Sequence, residues 1–433
     1  MPSCLQFYIL HLWWFVSFFF RYSCVVTAHL TTLSISAAFN APFGIDISPN
    51  GMHALVVDQN NHLLRLVTIA TGSVTTLAGA YQGFADGTGS LALFNIPRGV
   101  AFLPGGASAL IADFANNRIR RIEIATRVVT TLAGASTAGF RDEIGSSAYF
   151  HGPSGVAISP DGAYAFIADY HNFRVRRITI VTGVVTTLAG SGGTLPGYSD
   201  GTGTSALFSR LSGIAVSPDG QFALVADEDN NHRVRRIEIA TGVVTTLAGS
   251  GSGQFADGVG VSASLYLPSD VAISPTGEFA LVIDSRNARI RRITLATGQV
   301  TSLAGSGSPA SADGVGTSAS LNGPLGVAIS PDGMRAFVSD AGNNRIRVAM
   351  LATPCRAGFY CPAASTSPTQ AACAAGSYCS STGLSSNASQ APCQAGYYCL
   401  AGSSSATQFP CEPGFYCPAS SSSGTVANCS AGF

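Results

Sequence analysis

From residue 44 to residue 352, apolar and polar positions follow one repeating order. A copy opens on a short apolar run, as in Gly155-Val-Ala-Ile-Ser159, and breaks at Ser159-Pro-Asp-Gly162. A second apolar run, Ala165-Phe-Ile-Ala-Asp169, ends on an acid. A link bearing Asn and His leads to Arg174-Val-Arg-Arg-Ile-Thr-Ile180, where charged and β-branched residues mix. A Thr-Gly turn then opens Val184-Val-Thr-Thr-Leu-Ala-Gly190. Runs of about five residues, punctuated by Pro, Asp, Asn and Gly, predict four short antiparallel strands per copy. In the Ser-Pro-Asp-Gly turn, Pro presets φ at the second position and Gly closes the bend.

The copies are in register at Gly44, Gly99, Gly155, Gly213, Asp270 and Gly326, spaced by 55 to 58 residues. Their second strands end on Asp58, Asp113, Asp169, Asp227, Asp284 and Asp340. One four-stranded sheet cannot bury both of its faces. Six such sheets around an axis can, which predicts an all-β, six-bladed β-propeller. The sixth copy lacks its last strand, because Ala352-Thr353 runs into Pro354 and Cys355. A matching strand stands instead at the start, His29-Leu-Thr-Thr-Leu-Ser34. The N-terminal strand is therefore expected on the outer edge of the last blade, closing the ring.

The extended pattern, Thr-Leu-Ala-Gly-Ser-Gly, then Phe-Ala-Asp-Gly-x-Gly, then Gly-Val-Ala-Ile-Ser-Pro-Asp-Gly and an Arg-x-Arg-Arg-Ile strand, resembles NHL repeats over roughly residues 29–352. The resemblance implies a propeller whose relatives mostly bind other molecules. A minority are enzymes, such as the amidating lyases, and some intracellular members bind RNA.

Composition adds compartment. The 433 residues carry 23 basic and 23 acidic side chains, so no net field points to nucleic acid or to an acidic partner. Every basic residue is Arg. Of 11 Cys, two lie at the N-terminus, Cys4 and Cys24, and the others fall between Cys355 and Cys429. The apolar run Phe7–Phe20 is shorter than the roughly 20 residues a membrane span needs. With Val26-Thr27-Ala28 behind it, it reads as a secretory signal over 1–28. The alternative is an uncleaved signal anchor, since no Lys or Arg precedes the run.

After the propeller, expected over 29–353, the segment 354–433 changes character. Pairs of Cys six positions apart recur at Cys355/Cys361, Cys373/Cys379, Cys393/Cys399 and Cys411/Cys417. A fifth copy starts at Cys429 and stops at Phe433, which reads as truncation. Modules too small for a core need staples, so disulfides of unspecified pairing are expected. Zinc suits this array poorly, because the spacing is not Cys-x₂-Cys and no His is near. The array resembles the cysteine-rich repeats of ephrin-receptor and related growth-factor-receptor ectodomains, which implies a spacer. Asn387-Ala-Ser and Asn428-Cys-Ser are glycosylation sequons.

Three sets of polar residues could carry function. The Arg rows (Arg118, Arg120 and Arg121 in copy two, and their counterparts) could grip phosphate. Their recurrence in register with the strand-ending Asp favours Asp–Arg pairing within each blade instead. No aromatic stacking residues are expected to interleave with the rows, as single-stranded nucleic acid would require. The Asp-Gly-x-Gly stretches at Asp86, Asp200, Asp257 and Asp313 read as turns, expected on the face where the channel opens. The third set varies between copies while the scaffold repeats: Asn40, Asn95, His151, Ser209, Tyr266 and Asn322 before the core Gly, Arg98 next to it, and Asp270 in its place. That ring at the channel mouth is the expected ligand-binding surface.

His151 is the only His of that ring, fewer than the three ligands a catalytic zinc needs, so neither a metal nor another cofactor is called for. No Ser/His/Asp or Cys/His set falls in register. The sequence therefore predicts a secreted or cell-surface binding or adhesion protein. Its propeller head would take a protein or glycan ligand, with no nucleic acid, on a disulfide-rich stalk. Membrane attachment would require the N-terminal segment to stay uncleaved or a span to follow the truncated end. The alternative is a secreted propeller enzyme, a lyase or hydrolase working in the central channel.

Overall fold

The computed structural model describes residues 28–33, 38–191 and 196–351, together with short stretches between 359 and 428. The segment 1–27, Cys355, Cys361, Cys373, Cys379, Cys393, Cys411 and Asn387 lie outside the described residues.

Six antiparallel sheets account for residues 28–351, and no α-helix occurs among the described residues. Blade one is Pro42–Ile47, His53–Asp58, Leu63–Thr68 and Ser73–Ala78, from axis to periphery. The later blades repeat that order, and blades are numbered here along the chain. Blade six is Pro324–Ile329, Arg335–Asp340 and Arg345–Met350, with His29–Thr32 outermost. Leu30 faces Ala349, and Thr32 faces Arg347. Leu30 and Ala28 are fully buried, and Ala28 donates to the Leu303 carbonyl and accepts from Gly316.

The core is six separate interfaces rather than one mass. Leu55, Val57 and Leu64 of blade one pack on Phe94, Ile111 and Ile122 of blade two. The same arrangement recurs between each neighbouring pair, ending with Phe337 and Ile346 of blade six against Val56 and Val67 of blade one. Each sheet thus buries both faces on its neighbours, as the repeat requires.

At the axis the innermost strands approach closely, and five of the six blades carry glycine at the contact, with Asp270 in the fifth. A Cβ on Gly44 would overlap the Arg98 carbonyl, one on Gly99 the Ser154 carbonyl, and one on Gly326 the Phe43 carbonyl. The Gly44 and Gly99 amides donate to those same carbonyls, at 3.0 and 2.9 Å. The core glycine of the repeat is therefore a contact between blades, not a turn.

One feature exceeds the four-strand expectation. Gly87–Thr88, Gly201–Thr202, Gly258–Val259 and Gly314–Val315 form two-residue strands on the outermost strand of the following blade. The Asp-Gly-x-Gly stretches thus lie against the outer edges of the blades, a radial position the sequence left open. Their glycines let the loop turn over the blade edge, which carries their Asp away from the axis.

In the tail, two-residue strands pair at a regular spacing, for example Tyr397–Tyr398 with Phe409–Pro410 and Phe415–Tyr416 with Ala427–Asn428.

Candidate functional site at the channel mouth

The Asp ending each second strand organises one face of the propeller. All six are fully buried. Oδ1 accepts the backbone N–H of Asn40, Asn95, His151, Ser209, Tyr266 or Asn322 at 2.7–2.9 Å. Oδ2 accepts a side-chain N–H of Asn61, Asn116, Asn172, Asn231, Asn287 or Asn343. In five blades Oδ2 also accepts Nη1 of a buried Arg: Arg120, Arg176, Arg235, Arg291 or Arg347. A buried charge needs this many partners. The middle Arg of each row is therefore scaffold.

The first Arg of four rows is covered in a way the sequence did not suggest. Phe84, Phe140, Tyr198 and Phe255 stack on Arg118, Arg174, Arg233 and Arg289 at 3.5–4.0 Å. The aromatic rings do interleave with the Arg rows, but they come from the peripheral loop rather than from the strand.

The expected ring residues thus share one backbone role and differ in their side chains. His151 stacks on His171 with centroids 4.6 Å apart, and Tyr266 meets His232 edge-on at 5.4 Å. Asn95 accepts from Gln82, and Asn40 accepts from Asn60. The Ser209 side chain is buried, with no hydrogen-bond partner at Oγ.

Asymmetry gathers in blades two to four. Arg98 stands where three other copies carry Ser154, Ser212 or Ser269. Its guanidinium lies 3.6 Å above the Phe114 ring, 5.1 Å from Tyr170 and 5.2 Å from Phe43. Burial lowers its proton affinity, and the facing Tyr170 and Glu228 partly restore it. Phe114 and the Tyr170-His171 pair occupy the same place in adjacent blades, the short 3₁₀ turn after the invariant Asp. Blade four fills that place with Glu228 and Asp229, and Asp229 pairs with Arg210 at 3.1 Å.

Burial raises the Glu228 carboxyl to about 7 against the pull of Arg98 and Arg210. Burial, with the positive neighbours His151, Arg210 and Arg98, drives His171 down to about 4. The mouth therefore presents flat aromatic faces, a flattened guanidinium and a carboxyl poised near neutrality.

Beneath the mouth, the innermost strands enclose a channel cavity of about 250 Å³. Among the described residues, Asp46 and Asp270 are the ionisable side chains that line it. Asp46 accepts the N–H of Ile47 at 2.8 Å and of Phe102, one blade on, at 2.7 Å. Asp270 accepts the N–H of Val271 and of Val327, again one blade on, both at 2.9 Å. Each carboxylate bridges two innermost strands whose edge amides would otherwise face the cavity unpaired. Burial lifts Asp46 to about 6 and Asp270 to about 7, with the Asp46 charge adding to the latter.

Of the expected residues, the structure brings Arg98 and His151 into the cluster and places Asp270 in the channel. Asn40, Asn95, Ser209, Tyr266 and Asn322 stand outside both. Sequence reasoning missed Asp46, Phe114, Tyr170, Glu228 and Arg210. A signal existed: directly after the invariant Asp the copies read Gln59, Phe114, Tyr170, Glu228, Ser285 and Ala341, while their surroundings repeat. Asp46 likewise stands where the other copies carry Ala101, Ala157, Ala215, Ala272 and Ala328. Among the described residues, no three His, Cys, Asp or Glu side chains converge as metal ligands would.

No protein-family model matches the chain. It is 31% identical over 279 residues to the Arabidopsis thaliana protein SUPPRESSOR OF QUENCHING 1, chloroplastic, covering 61% of this chain and 26% of that protein. It is 27% identical over 330 residues to NHL repeat-containing protein 2 of Bos taurus, covering 69% of this chain and 45% of that one. The chain thus spans less than half the length of these relatives. Among solved structures, a Bacteroides thetaiotaomicron protein of unknown function superposes with a TM-score of 0.57 at 18% identity, over 75% of this chain and 76% of that one. The relatives and the six blades together support an NHL-repeat propeller.

Proposed function

We propose that this propeller is a ligand-binding head acting outside the cell or at its surface, and that a protein segment or glycan is met at the mouth formed by blades two to four. One observation carries the reading. Five blades spend their buried Arg and Asp on the same scaffold, while the unmatched side chains Arg98, Phe114, Tyr170, His171, Arg210 and Glu228 gather in one sector over the channel. Stacked rings beside charge-assisted donors and acceptors give both area and orientation to a bound group. Residues that differ between copies of a repeat mark where a ligand is met.

The rest of the chain fits a head on a stalk. Pairing of His29–Thr32 with Arg347–Met350 supports a ring completed by the N-terminal strand. Removal of a leader spanning 1–28 would keep the His29–Thr32 strand and give up the two backbone hydrogen bonds of Ala28. The buried Cys399 and Cys417, each disulfide-bonded, support a stapled tail. Glycosylation at Asn387 and Asn428 belongs to the same exported setting.

The test is a screen of the secreted full chain against glycan and peptide arrays, followed by titration of the hits with Arg98→Ala and Glu228→Gln. Binding should weaken at least tenfold in both variants. Hits that bind both variants as tightly as the parent would place recognition elsewhere.

A further inference from the structure

Blade one keeps a binding seat that the other five blades fill from within the chain. In blades two to six, the peripheral loop delivers one Asp to the blade edge: Asp86, Asp142, Asp200, Asp257 or Asp313. Each carboxylate pairs with Nη2 of the buried Arg at 2.6–2.8 Å. Each also accepts from the outermost strand, through Thr131, Thr187, Thr246, Ser302 or Thr32. In three blades the Thr backbone N–H joins the grip, at 3.0–3.1 Å.

Blade one has the Arg and the Thr but not the carboxylate. Arg65 faces Thr76 across the two outer strands, as Arg120 faces Thr131. Among the described residues Arg65 forms no ion pair, and its Nη1 donates to Thr76 Oγ1 at 3.0 Å. The cause is loop length. Residues 33–41 join blade six to blade one without an acid, whereas 134–152 join blades two and three and carry Asp142. Outside the described residues the chain holds a single acid, Glu412.

We propose that the Arg65–Thr76 edge of blade one is a docking seat for an extended acidic segment of a partner protein, which places one Asp as Asp86 is placed in blade two. The filled copies define the occupant: an Asp, followed by Gly in four of the five and by Glu143 in blade three, held by a guanidinium and a Thr or Ser hydroxyl. Complementarity comes from the partly buried Arg65 cation, which among the described residues meets only the Phe39 ring, at 5.9 Å, and the Thr76 hydroxyl, and the carboxylate adds charge-assisted hydrogen bonds. This seat is independent of the channel-mouth reading and stands or falls without it.

The chain itself supplies the probe. A synthetic peptide of residues 81–91, Tyr-Gln-Gly-Phe-Ala-Asp-Gly-Thr-Gly-Ser-Leu, is titrated onto the full chain by fluorescence anisotropy. The expected result is saturable one-to-one binding that weakens about ten- to a hundredfold when the peptide carries Asp86→Asn or the protein Arg65→Gln. Acetate at equal concentration should not compete, because the seat reads an extended segment. Absence of saturable binding, binding indifferent to either substitution, or displacement by acetate overturns the proposal. Binding that appears only in Glu412→Gln overturns it too, because the seat is then filled by the chain's own tail. A melting curve of Arg65→Gln that matches the parent shows that lost binding is not lost folding.

Discussion

Arg176 Nη1 lies 2.8 Å from Asp169 Oδ2, with neither side chain exposed to solvent. Arg176→Ala strands Asp169 as a buried charge whose other hydrogen bonds, from His151 and Asn172, cannot neutralise it. The loss is expected to be about 3–5 kcal/mol, read from urea unfolding. Removing the buried pair, as Arg176→Met with Asp169→Asn, should cost clearly less than the single change, since the other carboxylate on Arg176, Asp142, is partly exposed and loses the same contact in both. A double variant as unstable as Arg176→Ala would show that the pair does more than cancel its own charges.

The axial glycines make a second prediction. A Cβ at Gly99 would overlap the Ser154 carbonyl, and both partners are innermost strands held by their own ladders. Gly99→Ala is expected to lower stability by about 1–3 kcal/mol. Gly203, with nothing within 4 Å and φ +56°, is the control: Gly203→Ala should cost only about 1 kcal/mol, from backbone strain alone. Equal losses at the two sites would contradict the close approach at the axis.

Leu30 tests the outermost strand of blade six. It is fully buried among Leu281, Leu303 and Val338 of blades five and six, although it precedes blade one in the chain. Leu30→Ala should cost about 2–5 kcal/mol in thermal or urea unfolding. Thr31→Ala, partly exposed on the other face of the same strand, should cost little. Matching, small losses would place this strand off the blade.

The six-fold frame is legible because strand period and turn chemistry repeat in every copy, and one copy teaches the next. Even the Asp–Arg pairing follows from register alone. The candidate site is less legible because its members come from different copies and different places in the repeat. Arg98 precedes a core Gly, Phe114 and Tyr170 follow an invariant Asp, and Arg210 sits between. Only the circular arrangement brings Arg98 within 6 Å of Phe114 and Tyr170, and Arg210 within 6 Å of Tyr170. The peripheral position of the Asp-Gly-x-Gly stretches was hidden for a similar reason. A loop's sequence shows that it turns, but the edge it lies against belongs to the following blade.

The channel carboxylates make the stability of the propeller depend on pH. Asp46 and Asp270 have native proton affinities near 6 and 7, well above the unfolded value of about 3.9. The native state therefore holds protons that the unfolded chain has already released. Their contribution is fully present below about pH 4 and is lost as pH rises through 6 and 7. Glu228, raised to about 7, acts in the same direction. Each channel carboxylate should accordingly add on the order of 2 kcal/mol more to the unfolding free energy at pH 5 than at pH 7.5, against the opposite contribution of His171, lowered to about 4. Asp46→Asn and Asp270→Asn remove one titration each and should flatten the profile stepwise. Asn keeps one acceptor oxygen for the two amides, so each variant should also lose some stability at pH 5, where the parent carboxyl is neutral. Urea unfolding at pH 5, 6 and 7.5 separates the two effects: a change in slope reports the buried charge, and a uniform drop reports the lost bridge between blades. A pH slope that Asp46→Asn and Asp270→Asn leave unchanged would mean that these carboxylates are ionised and well solvated in the folded channel.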